Sequence, residues 1–233
     1  MNTNVSFASA SDTREQKPRL HELAPEVYGY ISDFDPNCGF VVGDDQVVLI
    51  DTRPTPRMAR DFLAAIRTVT DKPIKTIVLT HYHAVRVMGA SAFGEVEAII
   101  ASHGTLDWIR TRGQADFDSE VGRFPRLFAG VEEIPGLTFP TMSFERQMSL
   151  WLGARELRLM CLGRASATGR CSSMCCPSTS RGPMTSCAAS NIPSYGPPSA
   201  TANSGRPCEA DLFYSALGQD HQDGGRAARS ITS

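Results

Sequence analysis

The chain has 233 residues, a formal net charge of -2 and a sequence pI near 6.2. This length allows one domain with a hydrophobic core, and the charge gives no reason to expect sequence-independent binding to nucleic acid or to a membrane surface. No apolar run approaches the roughly 18 residues of a membrane span, and the polar N-terminus lacks the apolar segment of a secretory signal. We therefore expect a cytoplasmic protein.

The N-terminal part of the chain predicts a short leader followed by three strands. Residues 1–20 are polar and are expected to be disordered. Residues 26–31, 38–42 and 46–51 are rich in β-branched and aromatic side chains, which favour strands. Gly43-Asp44-Asp45 is a turn signal between the last two, so these predict a hairpin.

A mixed α/β pattern follows. Apolar residues at Met58, Phe62, Ile66 and Val69 have helical spacing, and Pro73 ends that stretch. The remaining predicted elements are, in chain order, a strand over 74–79, a short helix over 90–93, a strand over 96–101, a helix over 105–112, a loop or flap over 113–136, and a hairpin of 148–152 with 156–162. Strands joined by hairpins and covered by helices predict an α/β layered domain.

Two histidines, His81 and His83, come directly after the predicted strand 74–79. Imidazoles at i and i+2 can reach one metal ion from a loop, and neutral imidazole is the commonest metal ligand at physiological pH. Taken alone, the pair is also compatible with a metal-free structural loop whose imidazoles are hydrogen-bonded. No catalytic acid or base is assigned from the sequence.

The stretch from Thr80 to Ala90 reads THYHAVRVMGA and resembles the first metal-binding loop of the metallo-β-lactamase superfamily. That family usually shows His-x-His-x-Asp-His followed shortly by Gly. In this chain Val85 stands in the Asp slot and Arg86 in the last His slot. The resemblance spans about residues 22–164 and implies an αβ/βα sandwich, of which we expect only the N-terminal half to be intact.

The resemblance implies a metal-dependent hydrolase that acts on a small-molecule ester, thioester, lactam or lactone. It implies that His81 and His83 bind zinc, and that Asp51 orients the metal loop by hydrogen bonding. Val85 cannot ligate a metal, and Arg86 places a fixed positive charge where a second cation would sit. We therefore expect one zinc ion at most, and poor hydrolysis by this chain.

Other interpretations of these residues stay open. Arg86 can bind an anionic ligand in a non-catalytic or regulatory relative, or it can be an ion-paired loop residue. Asp51 can instead be an N-cap or turn residue ahead of the following helix. Asp33, Asp35 and Asn37 form an acidic loop that is most simply a turn. The chain can also be a truncated product without function. The sequence predicts no oligomeric state.

The composition changes after Arg164. Residues 165–233 contain 13 Ser, 5 Cys and no Val, which predicts a disordered tail. A second hypothesis is that this tail is translated out of frame. Read from the third base of each codon, Met174-Cys175-Cys176 must encode Val-Leu, because Met has one codon and Cys only two. An apolar strand there is what a second sheet would need.

Overall fold

The computed structural model describes residues 16–32, 35–164, 171–179 and 188–189, with the side chains of 16–32 and 35–161. The strands are β1 (Arg19–Ala24), β2 (Val27–Ile31), β3 (Cys38–Val42), β4 (Val47–Ile50), β5 (Ile74–Leu79), β6 (Ala98–Ser102), β7 (Met142–Phe144), β8 (Gln147–Leu152), β9 (Arg155–Arg164), β10 (Cys171–Thr179) and β11 (Ala188–Ala189). The helices are α1 (Pro56–Arg67), α2 (Ala84–Val87) and α3 (His103–Arg123), and two 3₁₀ turns cover Ala90–Phe93 and Val131–Glu133.

The larger sheet has seven strands in sequential order, β1 to β7. The first four strands pair antiparallel, while β4, β5, β6 and β7 are parallel neighbours. The three crossovers that contain helices therefore fall on the parallel half, since parallel strands need a connection that returns along the sheet. The carboxyl ends of β4, β5 and β6 lie at one edge, and the His loop begins there.

The larger sheet is covered on both faces. One face packs on the helices through a core that includes Phe40, Leu49, Phe62 and Ile77, each at most 1% exposed. The other face packs on the second sheet, whose strand order is β11-β10-β9-β8. In that interface Val48 and Val78 of the first sheet belong to the same cluster as inward-facing leucines of β8 and β9. The described part of the chain is therefore a helix–sheet–sheet arrangement, and the prediction of an α/β sandwich is confirmed.

Most predicted elements are found within one or two residues of their predicted bounds. The exceptions have physical reasons. Strand β1 begins at Arg19, inside the predicted leader, because its backbone pairs with β2 although none of its side chains is fully buried. Helix α3 continues to Arg123, so residues 113–123 are helical rather than part of a flap. Its middle is polar and only a few of its residues are buried, which removes the apolar periodicity that predicts a helix.

Two strands lie in the part of the chain predicted to be a disordered tail. Strand β10 pairs antiparallel with β9, and β11 pairs with two residues of β10. The prediction of disorder is therefore wrong for these residues, because backbone pairing on the open edge of β9 does not require apolar side chains. The rest of the tail, with His221, lies outside the described residues. None of the described helices is long and apolar enough to cross a membrane.

Candidate metal centre

The two histidines of the loop lie side by side at the carboxyl edge of the parallel strands. Their ring centroids are 4.8 Å apart at an interplanar angle of 66°. His81 is buried, with 2% of its surface exposed, and the His83 side chain is 17% exposed. The sequence analysis predicted this convergence. The end of β5 brings it about, because the chain turns at Thr80 and then enters the short helix α2.

Asp51 fixes the start of this loop. Its carboxylate accepts hydrogen bonds from the backbone N–H of Thr80 at 2.9 Å and from Thr80 Oγ1 at 2.6 Å. The same hydroxyl lies 3.2 Å from His81 Nδ1. Burial raises the pKa of the Asp51 carboxyl, although the Arg86 guanidinium and the Thr80 donors act to lower it. These contacts match the orienting role implied by the resemblance.

The other interpretation of Asp51, a cap for α1, does not hold. Thr55 is the N-cap, and its side chain accepts a hydrogen bond from Met58 N at 3.3 Å. Asp51 instead follows the last residue of β4 with a positive φ of 60°. Backbone in this region is strained for a residue other than glycine, so the surrounding hydrogen bonds must hold it.

Arg86 is buried between Asp51 and the loop that precedes β3. Its Nη1 donates to the carbonyl oxygen of Asn37 at 2.9 Å and lies 3.5 Å from Asp51 Oδ2. The side chains of Arg86 and Asp51 are 9% and 1% exposed. Burial lowers the pKa of the guanidinium, and the Asp51 carboxylate opposes this. Of the interpretations left open from the sequence, these contacts are those of an ion-paired residue.

Backbone atoms of the His loop also form hydrogen bonds with the segment that follows β4. The carbonyl oxygen of Arg86 accepts from both the N–H and the hydroxyl of Thr52, at 2.7 and 3.0 Å. Gly89 N donates to the carbonyl of Arg53 at 3.0 Å. A Cβ on Gly89 would lie 2.2 Å from the Thr52 carbonyl oxygen, so only glycine allows this close approach. The Gly noted in the sequence pattern therefore has a packing reason.

A second buried ion cluster lies beside the site, and the sequence analysis missed it. Asp35, predicted to be a turn residue, has a fully buried side chain that pairs with Arg53 at 3.1 Å and with Arg126. Arg53 also donates to the Pro36 carbonyl at 2.7 Å. The Asn37 side-chain oxygen accepts from Ser32 N at 2.9 Å. Asp33 lies outside the described residues.

Helix α3 supplies a further carboxylate that the sequence analysis did not single out. Asp116 accepts from Ala84 N at 2.8 Å, and its other oxygen lies 3.9 Å from His83 Nε2. On the same helix, Trp108 stacks on Tyr82 with ring centroids 5.4 Å apart. Both contacts come from a helix about 30 residues away in sequence. They hold the His loop from α3, whereas Asp51 holds it from the end of β4.

The described residues do not complete the zinc site that the resemblance implies. Among them there is no group of three His, Cys, Asp or Glu side chains that could hold a metal ion. Asp51 is bound by Thr80 and Arg86, and His103 is exposed at the start of α3. Two imidazoles alone are fewer than the three protein ligands usual for catalytic zinc.

Comparison with known proteins agrees with this fold. The family model of the metallo-beta-lactamase superfamily matches residues 31–137. A linear primary-alkylsulfatase from Pseudomonas sp. (strain ATCC 19151) is 37% identical over 75 residues, which is 29% of this chain and only 14% of that protein.

Two solved structures show a similar fold. The FEZ-1 metallo-beta-lactamase from Legionella gormanii is 15% identical, with a TM-score of 0.57 over 89% of this chain and 74% of that one. The stereoselective inverting sec-alkylsulfatase Pisa1 from Pseudomonas sp. is 20% identical, with a TM-score of 0.51 over 74% of this chain and 32% of that one. The match over residues 31–137, together with the sandwich and the His loop, makes this part of the chain similar to the metallo-β-lactamase superfamily.

Proposed function

We propose that this chain is a metal-dependent hydrolase domain whose activity is impaired. His81 and His83 bind one zinc ion at most, and the substrate is a small molecule with an ester, thioester, lactam or lactone group. The observation that supports this most directly is the pair of imidazoles 4.8 Å apart on a loop fixed by Asp51. The names of the relatives add sulfate esters to the substrates worth testing.

Impairment follows from the residues at positions 85 and 86. The resemblance places ligands of a second metal ion there, whereas Val85 offers no donor atom and Arg86 is paired with Asp51. Two unit charges about 4 Å apart repel by roughly 4 kcal/mol at an effective dielectric of 20, so a second cation beside Arg86 is disfavoured. A zinc ion held by His81 and His83 would supply an acidic bound water, and catalytic zinc usually has three protein ligands. A two-histidine site holds the ion weakly.

The test measures zinc content and hydrolysis on the purified full chain. Zinc per chain is determined after dialysis against micromolar zinc, for the parent, His83→Ala and the control His21→Ala, whose side chain is exposed on the edge strand β1, away from β5. Turnover of a p-nitrophenyl ester, a thioester, a β-lactam, a lactone and dodecyl sulfate is followed with and without EDTA. We expect less than one zinc, lost in His83→Ala only, and slow turnover that EDTA abolishes.

Other results would contradict the proposal in distinct ways. Stoichiometric, tightly bound zinc with fast EDTA-sensitive turnover would contradict the impairment. Turnover that is unchanged by EDTA and by His83→Ala would contradict a metal-dependent hydrolase. Stabilisation by sulfate or carboxylate anions without zinc would favour the non-catalytic binding protein. An aggregated chain without a cooperative melt, seen by size exclusion and circular dichroism, would favour a product without function.

A further inference from the structure

The ion pair of Asp51 and Arg86 ties together three segments that are distant in sequence. Asp51 ends β4, Arg86 lies in the His loop 35 residues later, and the Asn37 carbonyl precedes β3. The Arg86 side chain contacts the other two segments, and its carbonyl oxygen also accepts from Thr52, next to Asp51. A metal ion performs the same task in a metal site, where one cation holds donor atoms from separate loops.

Because Asp51 and Arg86 are both buried, each charge needs the other as its partner. The Asp51 side chain is 1% exposed and the Arg86 side chain 9%, so neither charge is well solvated. A buried carboxylate without a positive partner is strongly disfavoured, and so is a buried guanidinium without a negative one. The nearby Arg53 does not serve Asp51, because it pairs with Asp35 at 3.1 Å. Among the described ion pairs, Arg86 is the cation assigned to Asp51.

The geometry also explains why position 86 is not a metal ligand here. A guanidinium has no lone pair to give to a metal, and its donors are directed at oxygen acceptors. In the resembling family this position is a metal-binding His. We infer that Arg86 is a built-in cation that holds the His loop together in place of a second metal ion. This inference goes beyond the proposed function, because it concerns how the loop keeps its shape and does not require hydrolysis.

Thermal unfolding of a set of variants tests the inference. Arg86→Met removes the charge and keeps most of the bulk, Arg86→Lys keeps a positive charge, and Asp51→Asn removes the negative one. The double variant D51N/R86M completes a double-mutant cycle. Arg110→Met, an exposed arginine of α3, is the matched control. Each protein is measured as the full chain, in EDTA and again with 100 µM zinc.

We expect Arg86→Met to melt roughly 6–20 °C below the parent, because breaking a buried pair leaves one charge uncompensated. The melting temperature of Arg86→Lys should lie between those of Arg86→Met and the parent, and that of Arg110→Met should equal the parent's. The melting temperature of D51N/R86M should be higher than the value expected from adding the losses of the two single variants. The deficit of Arg86→Met should be the same in EDTA and in zinc, since no metal carries the effect.

Three results would overturn the inference. They are an Arg86→Met protein as stable as Arg86→Lys, strictly additive losses in the cycle, or a deficit that disappears in EDTA. If Arg86→Met does not fold, recovery of a folded monomer in D51N/R86M supports the inference, and no recovery overturns it. Zinc content and turnover are measured separately, so failure of the proposed hydrolase function leaves this outcome unaffected.

Discussion

Thr80 connects the buried Asp51 carboxylate to the first histidine of the loop. Removing its hydroxyl therefore tests whether these contacts stabilise the site. Thr80 Oγ1 donates to Asp51 Oδ2 at 2.6 Å and lies 3.2 Å from His81 Nδ1. Thr80 is 0% exposed, and valine has nearly the same shape. Thr80→Val therefore removes hydrogen bonding with little change in packing volume.

The magnitude follows from the charge of the acceptor. A hydrogen bond to a charged group contributes about 1.5–3 kcal/mol, and water does not replace the lost donor at a buried position. At about 2–4 °C per kcal/mol for a domain of this size, Thr80→Val should lower the melting temperature by about 3–12 °C. Zinc affinity should fall as well, because the His81 ring loses a partner that holds its orientation.

Differential scanning calorimetry and zinc titration check this, with Thr80→Ser as the control that keeps the hydroxyl. We expect Thr80→Ser to stay much closer to the parent than Thr80→Val in both measurements. If the valine and serine variants melt together with the parent, the hydroxyl does not support the carboxylate, and the reasoning about Asp51 fails. If both melt equally low, the buried methyl group contributes as much to stability as the hydroxyl, and the hydrogen bond is not the dominant contact of Thr80.

Three further predictions concern the loop, the core thiol and the tail. The double variant V85D/R86H restores the ligand types of the resembling loop, and we expect it to bind more zinc per chain than the parent by elemental analysis; equal zinc would contradict the assignment of these slots. Burial raises the pKa of the Cys38 thiol to about 12, so peptide mapping should find Cys38 unalkylated by iodoacetamide at pH 8 until urea unfolds the chain. The contribution of this thiol to stability should be intact below pH 9 and decline above it, because the unfolded chain releases the proton first. Sequencing of the nucleic acid across codons 160–175 should reveal a shifted frame, whereas an uninterrupted and reproducible frame would end that hypothesis.

The sheet could be predicted from the sequence because its signals are local. Val47 to Ile50 and Ile74 to Leu79 are short runs of β-branched and aliphatic residues between turn signals, and both are strands with buried interiors. Helix α3 was predicted too short because its second half is polar and partly exposed. Part of this half packs against the His loop, where Asp116 accepts from Ala84 N. These residues are 32 positions apart, so a short window of sequence does not include both.

The site could be predicted in part. The resemblance placed His81, His83 and Asp51, and the structure brings all three to one edge of the sheet. The contacts that fix them join residues 29 to 35 positions apart, and no periodicity reveals such pairs. The approach of Asp116 to His83 depends on the path of α3. The residue types of the site could therefore be predicted from the sequence, whereas the residues that each of them contacts could not.

Strand β10 bears on the hypothesis of a shifted frame. It covers the edge of β9, where an unpaired strand would expose a row of N–H and C=O groups. Its sequence is poor in strand-forming residues, and Pro177, which stands opposite Leu157, has no N–H to donate. The alternative frame encodes Val-Leu here whatever the synonymous codons, and it encodes further apolar residues, between polar ones, where the serines use TCN codons. Such residues would suit a strand beside β9, whose Leu157 and Leu159 already pack against the first sheet. The edge of β9 therefore accommodates a strand, and the residues of the shifted frame suit that strand better than the residues of β10 do. For this physical reason the reading frame should be determined before the activity is measured.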